Sequence, residues 1–162
     1  MSRRKFEVIE RDRIRVKRST IHGRGVFAAT DLQRGECIIE YRGERIDWEE
    51  ALARHPHDLD NPHHTFYFSL EGGNVIDAKV RGNAARWINH SCSPNCVAVE
   101  TVERDPPGPR RVFIFAKKNI LTGTELFYDY GLELEGRKTK AMLREHACHC
   151  GQKRCRGTML RT

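Results

Sequence analysis

The sequence predicts a mainly β fold with a few short helices, and three features carry that expectation. Short runs of alternating or β-branched residues recur along the chain, at 14–16, 36–41, 66–70, 97–102, 112–115 and 125–128. Strands alternate faces with period two, so such runs suit half-buried strands of small sheets. Turn-forming residues separate the runs: Gly23 and Gly25, then Gly72, Gly73 and Asn74, then Pro106, Pro107, Gly108 and Pro109. Helical signals, finally, are confined to three short stretches. This pattern excludes a doubly wound α/β fold. No G-x-G-x-x-G follows a strand and no P-loop is present, which argues against dinucleotide and nucleoside-triphosphate sites.

The elements follow in chain order. Ile14 and Val16 flank Arg15, an apolar-polar-apolar strand pattern, and Cys37, Ile38 and Ile39 make the next strand apolar enough for the interior. Asp47 followed by Glu50 resembles a capping box opening a helix over Ala51, Leu52 and Ala53. Phe66, Tyr67 and Phe68 supply the aromatic strand at 66–70, and 83–88 suits a single short turn. The proline-rich segment 105–109 lies between the strands 97–102 and 112–115 and should join them as a hairpin. After the last strand, 139–147 reads as a helix leading into a cysteine cluster.

With 162 residues, the chain is long enough for one domain with its own core and short for two. It is 38% hydrophobic and 31% charged, as globular domains are, and it has no run long enough for a membrane helix. The opening residues carry charge without an apolar stretch behind them, so a secretory leader is not expected, nor a membrane partner. The net charge of +7 is unevenly spread. Residues 1–19 hold eight Lys/Arg against three acids and residues 136–162 hold eight against one, leaving a body with a net charge of −5. An acidic body suits a cationic substrate, and basic ends suit nucleic acid.

Six cysteines occupy positions 37, 92, 96, 148, 150 and 155. Cys148, Cys150 and Cys155 form a C-x-C-x4-C cluster, which without a secretory leader reads as metal-ligating before disulfide-forming. Structural zinc takes four tetrahedral ligands. The tail supplies three thiolates, and the fourth ligand could be Cys92, Cys96, His146 or His149.

The segment Arg86-Trp87-Ile88-Asn89-His90-Ser91-Cys92-Ser93-Pro94-Asn95-Cys96 resembles the central R-F-I-N-H-S-C-x-P-N-C signature of SET-domain protein lysine methyltransferases. Further matches arrive in that family's order: Ile21-His22-Gly23-Arg24-Gly25-Val26-Phe27 for its opening glycine motif, Val75-Ile76-Asp77-Ala78 and Gly82-Asn83-Ala84-Ala85 before the centre, and Gly123-Thr124-Glu125-Leu126-Phe127-Tyr128-Asp129-Tyr130-Gly131 for its G-E-E-L-x-Y-D-Y-G block. The tail cysteines resemble its post-SET zinc motif. The resemblance implies a β-clip of small curved sheets with a knot-like threaded core, a SET domain over 12–134 and a helix plus zinc-binding tail over 135–162, together one structural unit.

It also implies an activity, transfer of the methyl of S-adenosylmethionine to a lysine of a protein, with a histone tail or another basic protein as substrate. By resemblance, Tyr130 is catalytic, Tyr128 limits the number of methyls, and Phe66 or Tyr67 lines the lysine channel. His22, Gly23, Arg24, Gly25, Asn89, His90 and His149 fall at cofactor-binding positions, and Cys92 joins Cys148, Cys150 and Cys155 around one structural zinc ion. One departure stands out: the family's channel tyrosine falls on Phe66, while the tyrosine of this sequence is Tyr67, one residue out of phase. A slip of one residue swaps strand faces, so the two side chains cannot both line one channel wall without a bulge. The chain looks like compact stand-alone bacterial members of the family. That likeness implies a cytoplasmic protein, or else one associated with chromatin or exported to a host nucleus. The alternative function is a zinc-stabilised binding module, either an inactive SET fold or a nucleic-acid and chromatin binder.

Overall fold

The computed structural model describes residues 11–54, 66–102, 104, 106–134 and 136–161. Ten short strands and two helices are assigned there. β1 (Ile14–Arg18) and β2 (Arg24–Ala28) form an antiparallel ribbon that turns near Gly23, which holds φ at +45°. Only the Ile14 end of β1 is buried, whereas Val26 and Ala28 of β2 reach the core.

The main core lies on a three-stranded antiparallel sheet with β9 (Arg111–Ala116) between β3 (Cys37–Tyr41) and β8 (Cys96–Thr101). Val112, Phe113 and Ile114 of the central strand are all buried, which is why it reads as a continuous apolar run. Edge strand β8 alternates instead, with Val97 and Val99 exposed. β8 and β9 are joined through the Pro-Gly segment as expected, although Asp105 lies outside the described residues. A register shift between Cys37 and Ile39 marks a bulge in β3.

A second sheet places β6 (Asn74–Asp77) between β4 (Glu44–Asp47) and β5 (Tyr67–Ser69). The sequence pattern did not reveal β4 or β6. Glu44-Arg45-Ile46-Asp47 contains one apolar residue, and Asp77 is a buried acid whose charge is met by Arg54 at 3.1 Å. The aromatic strand is also shorter than expected, since Phe66 and Leu70 fall outside it.

α1 (Trp48–Arg54) starts where Asp47 Oδ1 accepts the Glu50 N–H at 2.8 Å, so the cap forms. The Glu50 side chain accepts from Arg54 one turn on, at 3.1 Å, so the reciprocal half of the box is not made. Ala84–Trp87 forms the single 3-10 turn expected near 83–88. α2 (Lys140–Glu145) is capped by Thr139 Oγ1, which accepts the Met142 N–H at 3.1 Å, and it is shorter than the expected 139–147.

The pairing that organises the site is parallel. β7 (Asn89–His90) lies beside β10 (Phe127–Tyr128), with Phe127 opposite Asn89 and Tyr128 opposite His90. The central motif and the tyrosine-containing block thus share one short ladder. Buried Asn95 extends it, donating to the Glu125 carbonyl at 2.7 Å and accepting the Phe127 N–H at 2.8 Å. A two-residue ladder is weak alone, and an amide side chain that completes it satisfies backbone groups otherwise buried unpaired. Among the described residues no helix is long and apolar enough to cross a membrane.

Candidate functional site

The four cysteines Cys92, Cys148, Cys150 and Cys155 bring their Sγ atoms within 4.8 Å of one another. Cys92 Sγ lies 3.7 Å from Cys148 Sγ and 3.9 Å from Cys155 Sγ. Tetrahedral zinc with Zn–S bonds of about 2.3 Å requires S···S separations of about 3.8 Å, so the cluster fits the ion. The cysteines are free thiols, and burial pushes those of Cys92 and Cys148 up. Four thiolates could share this space only around a cation. Of the four candidates for the fourth ligand, Cys92 is the one the fold brings in. Cys96 is buried in the main core, where desolvation pushes its thiol up to about 12. His146 Nδ1 lies 2.9 Å from the Met142 carbonyl, and His149 borders a cavity.

That cavity, of about 290 Å³, is bounded by Ile21, His22, Asn89, His90, Tyr130, Ala147, Cys148, His149 and Met159. Four residues expected at cofactor positions therefore share one pocket, and the cysteine-rich tail forms one of its walls. Arg24 lies elsewhere: its guanidinium stacks on Trp87 at 5.2 Å and borders a larger cleft of about 810 Å³. Asn89 and Tyr130 border both cavities.

A buried carboxylate ties these segments together. Glu125 accepts from Ser19 Oγ at 3.0 Å and from Asn89 Nδ2 at 2.9 Å. Asn89 Nδ2 also donates to the Arg24 carbonyl at 2.9 Å, and Ser19 Oγ accepts the Ile21 N–H at 3.0 Å. Gly25 is required here for want of space rather than for its φ. A Cβ at that position would lie 2.1 Å from Glu125 Oε1 and 2.7 Å from its Cδ. Gly25→Ala is expected to displace the carboxylate and cost about 1–3 kcal/mol through overpacking. Thermal melting followed by circular dichroism checks it, and an unchanged midpoint would show that the network gives way freely.

The larger cleft holds a row of rings. Tyr41 and Phe68 lie 5.3 Å apart, Phe68 and Tyr128 6.3 Å, and Tyr128 and Tyr130 4.9 Å. At 66–67 the two rings turn to different neighbours. The Phe66 ring meets Trp87 edge-on at 5.1 Å and packs on the main core. Tyr67 packs instead on the separate cluster of Ile46, Ala51 and Val75 and donates from its hydroxyl to the Ala51 carbonyl at 3.2 Å. Both border the cleft, but among the described residues the ring stacked toward Tyr128 from this strand belongs to Phe68. Sequence reasoning missed Phe68 and Tyr41. Both look like ordinary strand residues, although Phe68 shares a strand face with Phe66, a signal that was available. Tyr41 donates to the Phe66 carbonyl at 3.0 Å and so fixes the start of the aromatic strand.

The Tyr130 hydroxyl donates to the Ile88 carbonyl at 2.7 Å. Burial pushes its ionisation up, as it does for Tyr128 and Tyr41, so all three stay neutral phenols at neutral pH. The Tyr130 backbone N–H donates to His90 Nδ1 at 3.0 Å. Desolvation lowers His90 to about 4, and the neutral ring then carries its proton on Nε2, 3.5 Å from Cys92 Sγ. Between the two tyrosine positions and the tail, Asp129 holds Arg156 in a bidentate pair at 2.6 and 2.9 Å. Arg156 keeps the Asp129 carboxyl below the ordinary range.

The SET domain family profile matches residues 23–131. The Drosophila virilis histone-lysine N-methyltransferase trithorax is 38% identical over 96% of this chain, which spans 4% of that protein. The human histone-lysine N-methyltransferase 2B is 38% identical over 94% of the chain, which spans 5% of it. Among solved structures, a chain of ctPRC2 in an autoinhibited conformation bound to S-adenosylmethionine is similar with a TM-score of 0.67 and 32% identity. The likeness covers 74% of this chain and 15% of that one. The Chaetomium thermophilum polycomb repressive complex 2 gives 0.67 and 31%, over 75% and 16%. The matched span takes in β2, the central Asn89–His90 segment and the Tyr128–Tyr130 block around which the two cavities form, and by that match the chain belongs to the SET domain family.

Proposed function

We propose that the protein is an S-adenosylmethionine-dependent protein-lysine N-methyltransferase acting on a histone tail or another basic protein. The observation that carries this reading is the position of Tyr130, which borders both the smaller pocket and the aromatic cleft. Two reactants could enter from different sides and meet at one side chain, the geometry that a direct displacement needs.

The bound cofactor supplies an electrophilic methyl group on a sulfonium. The rest falls to the chain. A lysine with a pKa of about 10.4 is roughly one part in a thousand neutral at pH 7.4, yet only the neutral amine can attack. The rings of Tyr41, Phe68, Tyr128 and Tyr130 would surround it with low-dielectric surface and disfavour its ammonium form. Because the Tyr130 hydroxyl donates its hydrogen bond to the Ile88 carbonyl, its oxygen lone pairs are left to accept from the amine or from methyl C–H groups. A neutral phenol of raised pKa is not a base, so it would orient the amine without taking its proton. Asn89, His90, His22 and His149 would bound the cofactor, and Arg24 on Trp87 would meet a carboxylate at the cleft side.

Incubation of the zinc-loaded protein with methyl-labelled cofactor and histones or total cell lysate tests the reading. Label in a lysine is expected, and its absence from every protein tested would sink the proposal in favour of a binding module. Tyr128 bears on the product. Its ring lies buried between those of Phe68 and Tyr130, and its hydroxyl oxygen is the one polar side-chain atom it brings there. Tyr128→Phe removes that oxygen from the ring row and should let a methylated amine turn and react again. Intact mass spectrometry of a peptide product should move from mono- or dimethyl to a higher state; an unchanged distribution would deny Tyr128 this role.

A further inference from the structure

The reading above leaves unused the basic charge of the tail. Residues 136–161 hold eight Lys/Arg and one acid, Glu145. Before the tail, Arg13, Arg42, Arg54, Arg110 and Arg111 are each met by a carboxylate. In the tail, Arg156 is paired with Asp129, Arg161 with Glu133, and Lys138 with the Arg161 carbonyl. Arg137, Lys140, Arg144, Lys153 and Arg154 are exposed and have no acidic partner among the described residues. Even counting a zinc tetrathiolate as −2, this lobe keeps a net charge of about +5.

Backbone pairing also ties the lobe together. Ala147 pairs with Thr158, the Cys148 N–H donates to the Gly157 carbonyl at 3.1 Å, and the Met159 N–H donates to the His146 carbonyl at 2.8 Å. These bonds join the end of α2 to the final turns. Lys140 and Arg144 share one face of α2 at i and i+4 spacing. Lys153 and Arg154 sit in the turn between Cys150 and Cys155, pinned at both ends by the sulfur cluster.

From this we infer that the cysteine-knitted tail is a docking surface for the phosphate backbone of duplex nucleic acid. Three observations select that partner. The large exposed apolar side chains of the described residues all lie before residue 136, so the tail offers none to insert into a lipid surface. Residues 136–162 contain no Phe, Tyr or Trp, so there is no platform for stacking single-stranded bases. Nor is there the aromatic centre of a typical protein–protein interface, whereas a polar, cation-dense face is what duplex-binding surfaces share. Backbone contacts carry no sequence information, so the binding should be sequence-independent. The inference does not depend on methyl transfer.

The test is fluorescence anisotropy of a labelled mixed-sequence DNA duplex with the zinc-loaded full chain, from 50 to 200 mM salt. Four or five phosphate contacts predict a log–log salt slope of about −4 and an affinity loss of about 10²-fold over that range. The variant K140Q/R144Q/K153Q/R154Q, its folding checked by zinc content and thermal midpoint, should bind at least tenfold more weakly with a shallower slope. If it does not fold, R137Q/K140Q/R144Q, which leaves the cysteine turn intact, should show a smaller loss in the same direction. Methylation of a short peptide without DNA should be unchanged in either, which separates failure of this inference from failure of the enzymatic reading. No binding at 50 mM salt would overturn it. So would loss of binding only in R3Q/R4Q/K5Q, or tighter binding to phosphatidylserine vesicles or to single strands than to duplex.

Discussion

Replacement of Tyr130 by Phe is expected to lower methyl transfer by about 10²–10³-fold, the scale seen when one preorganised polar group is removed from a reacting centre. The substitution keeps the ring, which meets Tyr128 at 4.9 Å and His90 at 5.3 Å, and keeps the backbone N–H on His90. It deletes only the hydroxyl and leaves the Ile88 carbonyl without its donor. That unmet carbonyl should cost about 1–3 kcal/mol of stability, so the assay belongs well below the lowered melting point. Cofactor affinity by calorimetry should stay within a few-fold, because the loss is concentrated in kcat. Unchanged turnover would remove the hydroxyl from the chemistry. A matching loss of cofactor affinity would instead make Tyr130 a wall of the pocket.

Removal of the metal should have the other large effect. Binding of zinc by small thiolate sites contributes on the order of 10 kcal/mol, more than the tail could recover from its own packing. Chelation, or Cys92→Ser, should therefore release the tail from the body. The consequence reaches the site by a traceable route. Cys155 precedes Arg156, Arg156 clamps Asp129, and Asp129 stands between Tyr128 and Tyr130. Arg156 also donates its backbone N–H to Cys92 Sγ at 3.4 Å. Limited proteolysis should cut within 136–161 in the metal-free protein, and metal analysis should show about one zinc per chain before chelation. A metal-free protein as resistant as the loaded one, or Cys92→Ser with full zinc, would refute the assignment. Arg156→Ala offers a finer probe: it should retain zinc and lose turnover, since it cuts the clamp and spares the sulfurs.

Much of the fold was legible where burial is one-dimensional. The central strand β9 reads as a strand because both its faces are covered by apolar neighbours, so nearly every residue must be apolar. The hairpin joining it to β8 was signalled by Pro106, Pro107 and Gly108. By contrast, β4 and β7 are short and mostly polar, and what makes them strands is the partner each finds far along the chain. Asp77 and His90 are buried polar residues whose tolerance depends on Arg54 and on Tyr130 and Asp129. A local pattern contains no such information.

The candidate site divides the same way. The motif residues 86–96 and 123–131 by themselves determined the family resemblance and the tyrosine pair, and the tail pattern over 148–155 marked three of four sulfur ligands, because those features rest on residue type at fixed spacing. The resemblance already named Cys92 as the fourth ligand, and the tertiary structure brings that sulfur, and not that of Cys96 four residues on, to the cluster. One sulfur goes to the tail and the other into the core. Structure also decided that Phe68 meets Tyr128, that Arg24 borders the aromatic cleft while His22 borders the smaller cavity, and that Glu125 fills the space a side chain at position 25 would need. Each depends on which segments lie within a few ångströms of one another. Proximity of that kind is fixed by packing the whole chain, whereas spacing in sequence fixes only which face of its own element a residue occupies.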